Sequence, residues 1–190
     1  MIRIGILGDI GSGKSFIAKK FGYPVFNADS EVAKLYKKNK KIYGKLKKAL
    51  PNHIFSFPVN KNEISKAILA NRRNLKKIVK IVHLAVRKKL NIFLIKNKNK
   101  KIVILDIPLL LENKINKKKD VLIFVQSKRT DTLKRLRKRK NYNQRLLNEF
   151  RKIQKPLNYK KKKSKFIIKN NFRKKNVRKH IKNIVKKILQ

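Results

Sequence analysis

Gly8-Asp9-Ile10-Gly11-Ser12-Gly13-Lys14-Ser15 satisfies the pattern G-x-x-x-x-G-K-[ST]. It lies between a short apolar run, Ile2 to Leu7, and a stretch at helical spacing, Ser15 to Phe21. Strand, glycine-rich turn and helix in that order predict a P-loop. The glycines let the backbone curl until several N–H groups face one centre, and the start of the helix adds its dipole there. Such a cradle fits the phosphates of a nucleoside triphosphate, with Lys14 bridging the β- and γ-phosphates and the Ser15 hydroxyl on Mg²⁺. Gly8, Gly11, Ser12, Gly13, Lys14 and Ser15, with Phe16 after them, are the expected nucleotide-binding residues.

Outward from this loop the chain alternates between two periodicities. Tyr23 to Phe26, Ile102 to Asp106, Val121 to Val125 and Phe166 to Ile168 read as further strands. Helical patterns occupy the segment after Asp29 or Ser30, either of which can cap it, then Lys37 to Leu50 and Glu63 to Leu94, broken near Asn71. Pro51 to Asn62 reads as a loop. Thr130 to Lys140 is a strongly basic helix, Tyr142 to Gln154 is helical, Lys155 to Lys165 reads as a basic loop, and Lys174 to Leu189 is an amphipathic helix. Strands alternating with helices predict an α/β protein with a mainly parallel, five-stranded sheet in a three-layer P-loop kinase arrangement. Residues 1–190 form one domain in this reading, with a helical acceptor-binding cap over roughly residues 30–100 and a lid over roughly residues 135–160.

Composition narrows the class. A chain of 190 residues with 41% hydrophobic residues can bury a core without staples, and it contains no cysteine, which excludes disulfides and thiolate metal sites. No apolar run reaches the roughly 18 to 20 residues of a membrane span, and the N-terminus reads into a strand rather than a leader peptide. A cytoplasmic protein without a membrane partner is expected. The 56 Lys plus Arg against 9 Asp plus Glu give a formal charge of +47. Taken alone, that charge suggests a polyanionic partner. The excess is spread along the chain together with Asn and Ile, the residues of A/T-rich codons, so compositional drift accounts for it at least as well, and no specific nucleic-acid partner is expected.

Where acids are so few, each one that remains is informative. Asp106 ends the apolar strand Ile102 to Leu105, which is how a parallel strand beside a P-loop delivers a carboxylate to Mg²⁺. A helix cap is its alternative role. Asp29, just past the second strand, can accept or orient the proton of an attacking hydroxyl, or can cap the next helix. Arg135, Arg137 and Arg139, with Arg145 and Arg151 beyond, could close over the phosphates or form a solvated face. His83, beside Val82 and Leu84, reads as a core or helix-surface residue or as part of a site. His53 and His180 carry no pattern, and no cluster suggests a transition metal.

Taken in order, these motifs closely resemble the dephospho-coenzyme A kinase family. The stretches that carry the likeness are Gly8 to Ser15, Pro24-Val25-Phe26-Asn27-Ala28-Asp29, Ile81-Val82-His83, and Val103-Ile104-Leu105-Asp106-Ile107-Pro108-Leu109-Leu110-Leu111-Glu112. The last is the most specific. Arg135-Leu136 and Arg139 resemble the family's lid arginines, Gln154, Pro156 and Lys160 fit its Gln-x-Pro-x-x-x-Lys pattern, and Phe166 to Asn170 resembles its last strand and Asn. The resemblance implies ATP-dependent, Mg²⁺-assisted phosphorylation of the ribose 3′-hydroxyl of dephospho-coenzyme A, the last step of coenzyme A biosynthesis. Asp29 would position or deprotonate that hydroxyl, with Lys14 at the transferred phosphate and Arg139 acting from the lid. Asp29, His83, Asp106 and Arg135 would contact substrate, and Ser15 and Asp106 the metal. The chain departs from the family at Asn27, usually Asp, which leaves Asp29 as the only acid of that pair. It departs again at Phe16, Leu84, Phe150 and Lys165.

Two rivals share the triphosphate site. Another P-loop nucleotide or metabolite kinase would not carry the Asp106 to Glu112 run. A P-loop GTPase would need Asn-Lys-x-Asp, and Asn116 to Asp120 is one residue too long, while a nucleic-acid-binding ATPase would interleave aromatics along a basic stripe, which this sequence lacks.

Overall fold

Five apolar runs become the strands β1 (Ile2–Gly8), β2 (Val25–Asn27), β3 (Ile102–Asp106), β4 (Val121–Gln126) and β5 (Phe166–Lys169) of the computed structural model, which describes residues 1–172 and 174–190. All pairings are parallel, in the order β2-β3-β1-β4-β5, with Ile2 opposite Ile102 and Gly5 opposite Leu122. Parallel neighbours need long crossovers, and helices supply them. These are α1 (Lys14–Lys20), α2 (Ala28–Lys38), α3 (Lys40–Ala49), α4 (Lys61–Ala70), α5 (Arg72–Lys96), α6 (Arg129–Arg137), α7 (Gln144–Lys152), α8 (Leu157–Lys162) and α9 (Lys174–Leu189).

The chain divides into two compact units. One contains Met1–Asn27, Asn97–Tyr142 and Ile153–Gln190; the other contains Ala28–Lys96 and Asn143–Lys152. In the first unit, side chains that alternate along each strand line both sheet faces. Ile4, Ile6, Ile104, Ile123, Val125 and Ile168 pack against Ile17 and Ala18 of α1, Phe21 at its C-cap, and Val177, Ile181 and Ile184 of α9. On the opposite face Leu110 and Leu122 approach so closely that a Cβ on Gly5 would lie 2.5 and 2.8 Å from them. Burial on both faces explains why the strands are nearly unbroken apolar runs.

The second unit is helical. Leu35, Ile42, Leu46, Ile64, Ile68, Leu75, Ile78, Val82 and Val86 are buried within it, and α7 packs on α4. Its breaks are set by asparagines. Asn39 accepts from the Ile42 N–H at 2.9 Å and starts α3, so the helix expected over Lys37 to Leu50 is interrupted there. Asn71 ends α4, and its side chain accepts from the Arg73 N–H at 2.8 Å, at the break the sequence predicts.

Three further boundaries differ from expectation. The first turn of α2 begins at Ala28, so Asp29 and Ser30 lie inside it rather than capping it. The basic helix ends at Arg137, and Arg139 sits in the following turn, its N–H donating to the Leu136 carbonyl at 3.0 Å. The segment Lys155 to Lys165, expected as a loop, contains α8 with Pro156 at its N-cap. Lys160 explains that helix. It is 1% exposed, with its ammonium 2.9 Å from Glu112 Oε1 and 2.9 Å from Gln154 Oε1.

Candidate active site

The P-loop lies between the end of β1 and the start of α1. Lys14 folds back over it, its Nζ donating to the carbonyls of Gly8 at 3.1 Å and Asp9 at 2.7 Å. The loop is braced internally by the Ile10 N–H on Asp9 Oδ1 at 2.7 Å and the Ser12 N–H on the Asp9 carbonyl at 3.2 Å. Gly11 is covered by α6, because a Cβ there would meet Leu136 Cγ and Thr132 Cγ2 at 2.8 and 2.9 Å. Gly13 has φ +91°, a left-handed conformation that side chains resist, and a Cβ there would run into the Asn170 side-chain amide. Ser15, the second residue of α1, is exposed, and Phe16 is half-buried.

β3 is the neighbour of β1, so its C-terminal end reaches the side of the P-loop. Asp106 is the last residue of β3 and is 2% exposed; Asn27, its register partner on β2, donates Nδ2 to Asp106 Oδ2. No helix follows Asp106 directly, which removes the capping alternative. The amide fixes the carboxylate at the strand end. Ser15 and Asp106 supply hard oxygen donors from adjacent elements, which suits Mg²⁺, an ion that takes one or two protein oxygens and completes its shell with phosphate and water.

The remaining acids divide between structural and candidate roles. Glu112 pairs with Lys160. Asp120 meets Arg3 at 3.0 Å, and burial pushes its carboxyl above the ordinary value although Arg3 and Lys117 oppose the shift. Glu149 holds Lys152 at 2.5 Å and Arg72 at 3.9 Å, Glu31 holds Lys34, and Glu63 accepts from the N–H groups of Phe55 and Ser56. Asp29 is exposed at the second position of α2, two residues past Asn27.

Arg135 lies on α6 with its guanidinium 4.3 Å from the Phe172 ring centroid, and Arg139 is exposed in the turn beyond. In the helical unit, half-buried His83 sits midway along α5 with Nε2 buried and unpartnered. Burial, and then the Arg87 charge, hold its imidazole below the ordinary value.

The sequence gives no signal for Ser127, whose hydroxyl donates to the Ser12 carbonyl at 2.9 Å. Asn170 donates to the same oxygen at 2.8 Å. Its family-like position at the end of the last strand was the only trace of it in the sequence.

Comparison with known proteins gives the family and the fold. A family model described as dephospho-CoA kinase matches residues 2–176. The dephospho-CoA kinase of Wolbachia sp. subsp. Brugia malayi is 37% identical over 187 residues, covering 96% of this chain and 95% of its own. Among solved structures, TT1252 from Thermus thermophilus superposes with a TM-score of 0.77 at 24% identity, covering 100% of this chain and 98% of its own. The dephospho-CoA kinase from Campylobacter jejuni superposes with a TM-score of 0.62 at 21% identity, over 98% of this chain and 96% of its own. Both superpositions carry the fold.

Proposed function

The chain belongs to the dephospho-CoA kinase family, and from that membership we propose how its own residues carry out the reaction. The enzyme is an ATP-dependent kinase that phosphorylates dephospho-coenzyme A, the last step of coenzyme A biosynthesis. In that transfer the ribose 3′-oxygen forms a bond to the γ-phosphorus, the bond from that phosphorus to the β–γ bridging oxygen breaks, and ADP leaves. The hydroxyl proton needs an acceptor. Asp29 is assigned that task, supported by its exposed position just beyond β2 and by Asn27, which is an amide where the family usually has a second acid.

Lys14 is assigned to the β- and γ-phosphates. Its two carbonyl contacts hold the ammonium at the loop, and both are exchangeable for phosphate oxygens that bind a cation more strongly. Gly8, Gly11, Ser12, Gly13, Ser15 and Phe16 complete the donor site. Ser15 and Asp106 would hold Mg²⁺, which when bound neutralises charge on the phosphate oxygens. Arg139, in a turn rather than a helix, and Arg135 are assigned to the lid, for which the segment 135–160 is proposed. Acceptor binding is assigned to the helical segment 30–100, including His83. The reading extends to action in the cytoplasm, where ATP is supplied, and to no specific nucleic-acid partner. Among the described residues no helix is long and apolar enough to cross a membrane.

The observation that carries this reading is the buried Asp106, held by Asn27 at the strand end beside the P-loop, at the head of the run to Glu112. Incubation with ATP, Mg²⁺ and dephospho-coenzyme A, followed by mass spectrometry, should give coenzyme A and ADP. No coenzyme A, with turnover of another acceptor or stimulation by RNA, would overturn it.

A further inference from the structure

The carbonyl oxygen of Ser12 accepts two side-chain hydrogen bonds, from Ser127 Oγ at 2.9 Å and from Asn170 Nδ2 at 2.8 Å. Both donors come from sheet ends. Ser127 follows the last residue of β4 and Asn170 the last residue of β5, and those two residues, Gln126 and Lys169, are register partners. Adjacent parallel strands thus deliver one donor each to the same oxygen.

Asn170 is itself fixed. It is 2% exposed, its N–H donates to the Gln126 carbonyl at 2.7 Å, and its Oδ1 accepts from the Phe172 N–H at 3.0 Å. Its amide also fills the space a Gly13 side chain would need.

The Ser12 carbonyl and the Gly13 N–H share one planar peptide. The only cis bond among the described residues is Phe57-Pro58, so this peptide is trans and its C=O and N–H point in opposite directions. Two donors holding the oxygen on the sheet side therefore turn the Gly13 N–H away from the sheet ends. The Ser12 N–H is already spent on the Asp9 carbonyl. We infer that Ser127 and Asn170 are positioning residues that aim the Gly13 amide into the phosphate cradle, so that the last strands of the sheet determine how tightly the triphosphate is held. Neither side chain needs to touch the nucleotide. A cradle donor acts only if it is oriented before the anion arrives, and without the clamp the peptide could rotate at the cost of binding.

The inference rests on the triphosphate reading of the loop, and the test separates the two. Mg-ATP binding is measured by isothermal titration for the wild type, Ser127→Ala, Ser127→Thr and Asn170→Ala, with adenosine affinity measured by competition and unliganded unfolding midpoints alongside. Ser127→Ala and Asn170→Ala are each expected to weaken ATP about three- to tenfold, as one neutral hydrogen bond predicts. Adenosine should bind as before, and Ser127→Thr, which keeps the hydroxyl, should resemble the wild type. Folded variants with wild-type ATP affinity, or an equal loss for adenosine and ATP, would overturn the clamp. If Asn170→Ala does not fold, half-buried Ser127 decides the matter by itself. A wild type that binds no ATP would instead count against the functional reading.

Discussion

The Lys160 ammonium lies 2.9 Å from Glu112 Oε1 with the two side chains 1% and 10% exposed, an ion pair closed to solvent in a chain whose other lysines are mostly exposed. Glu112 also accepts from the Lys155 N–H at 2.8 Å, so one carboxylate ties the residue before the Pro156 cap to Lys160 within α8. Removing a single partner leaves a buried charge alone. Lys160→Met should lower stability by about 3–5 kcal/mol in urea denaturation, and adding Glu112→Leu should recover much of the loss. A Lys160→Met protein as stable as the wild type would mean that water reaches Glu112.

Asn39 is a cap with a single clear partner, the Ile42 N–H. Asn39→Ala should cost about 1 kcal/mol of stability in urea denaturation. The helix before it and the helix after it would persist, so far-ultraviolet circular dichroism should barely change.

Lys14→Ala removes the cation proposed to neutralise charge on the transferring phosphate. Coenzyme A formation should fall by orders of magnitude while the fold survives, because the bonds from Lys14 Nζ to the Gly8 and Asp9 carbonyls lie within its own loop. Activity close to wild type in a steady-state assay would remove Lys14 from the mechanism.

Asp29→Asn preserves shape and removes the carboxylate proposed as the base. ATP affinity should hold and kcat should fall strongly, with the two measured separately. Were turnover retained, proton acceptance would have to be assigned to another group.

His83 gives a pH signature. Because burial, then Arg87, depress its pKa, the folded protein binds this proton less readily than the unfolded chain does. Stability from this group is full above the unfolded value of about 6.5 and is lost as pH falls through the lower folded value. Urea midpoints should decline on acidification more steeply for the wild type than for His83→Gln; parallel slopes would exclude His83.

The sheet was legible because parallel strands buried on both faces must be apolar runs, and the P-loop because its glycine spacing is local. Asp106 was legible as the acid that ends such a run. What the sequence hid depends on distant partners. Four consecutive lysines, 160 to 163, look solvated until Glu112, 48 positions earlier, is placed against Lys160. Ser127 and Asn170 meet Ser12 across 115 and 158 positions, and no spacing rule spans that distance. Asn39 was lost among the many asparagines of a lysine-, asparagine- and isoleucine-rich chain. Helix ends failed for the same reason, since a cap is one side chain whose bond is invisible in the pattern.

The strand order has a consequence for how the protein is made. β1 is synthesised well before both of its neighbours, β3 and β4, whose pairings begin at Ile102 and Val121. A nascent chain must therefore carry Ile2 to Gly8 with both hydrogen-bonding edges open until the segment that begins at Ile102 has left the ribosome. The helical segment between them can form early from local contacts. The strand that ends in the phosphate loop thus becomes the centre of the sheet only late, and during that interval it offers an adhesive edge to other chains.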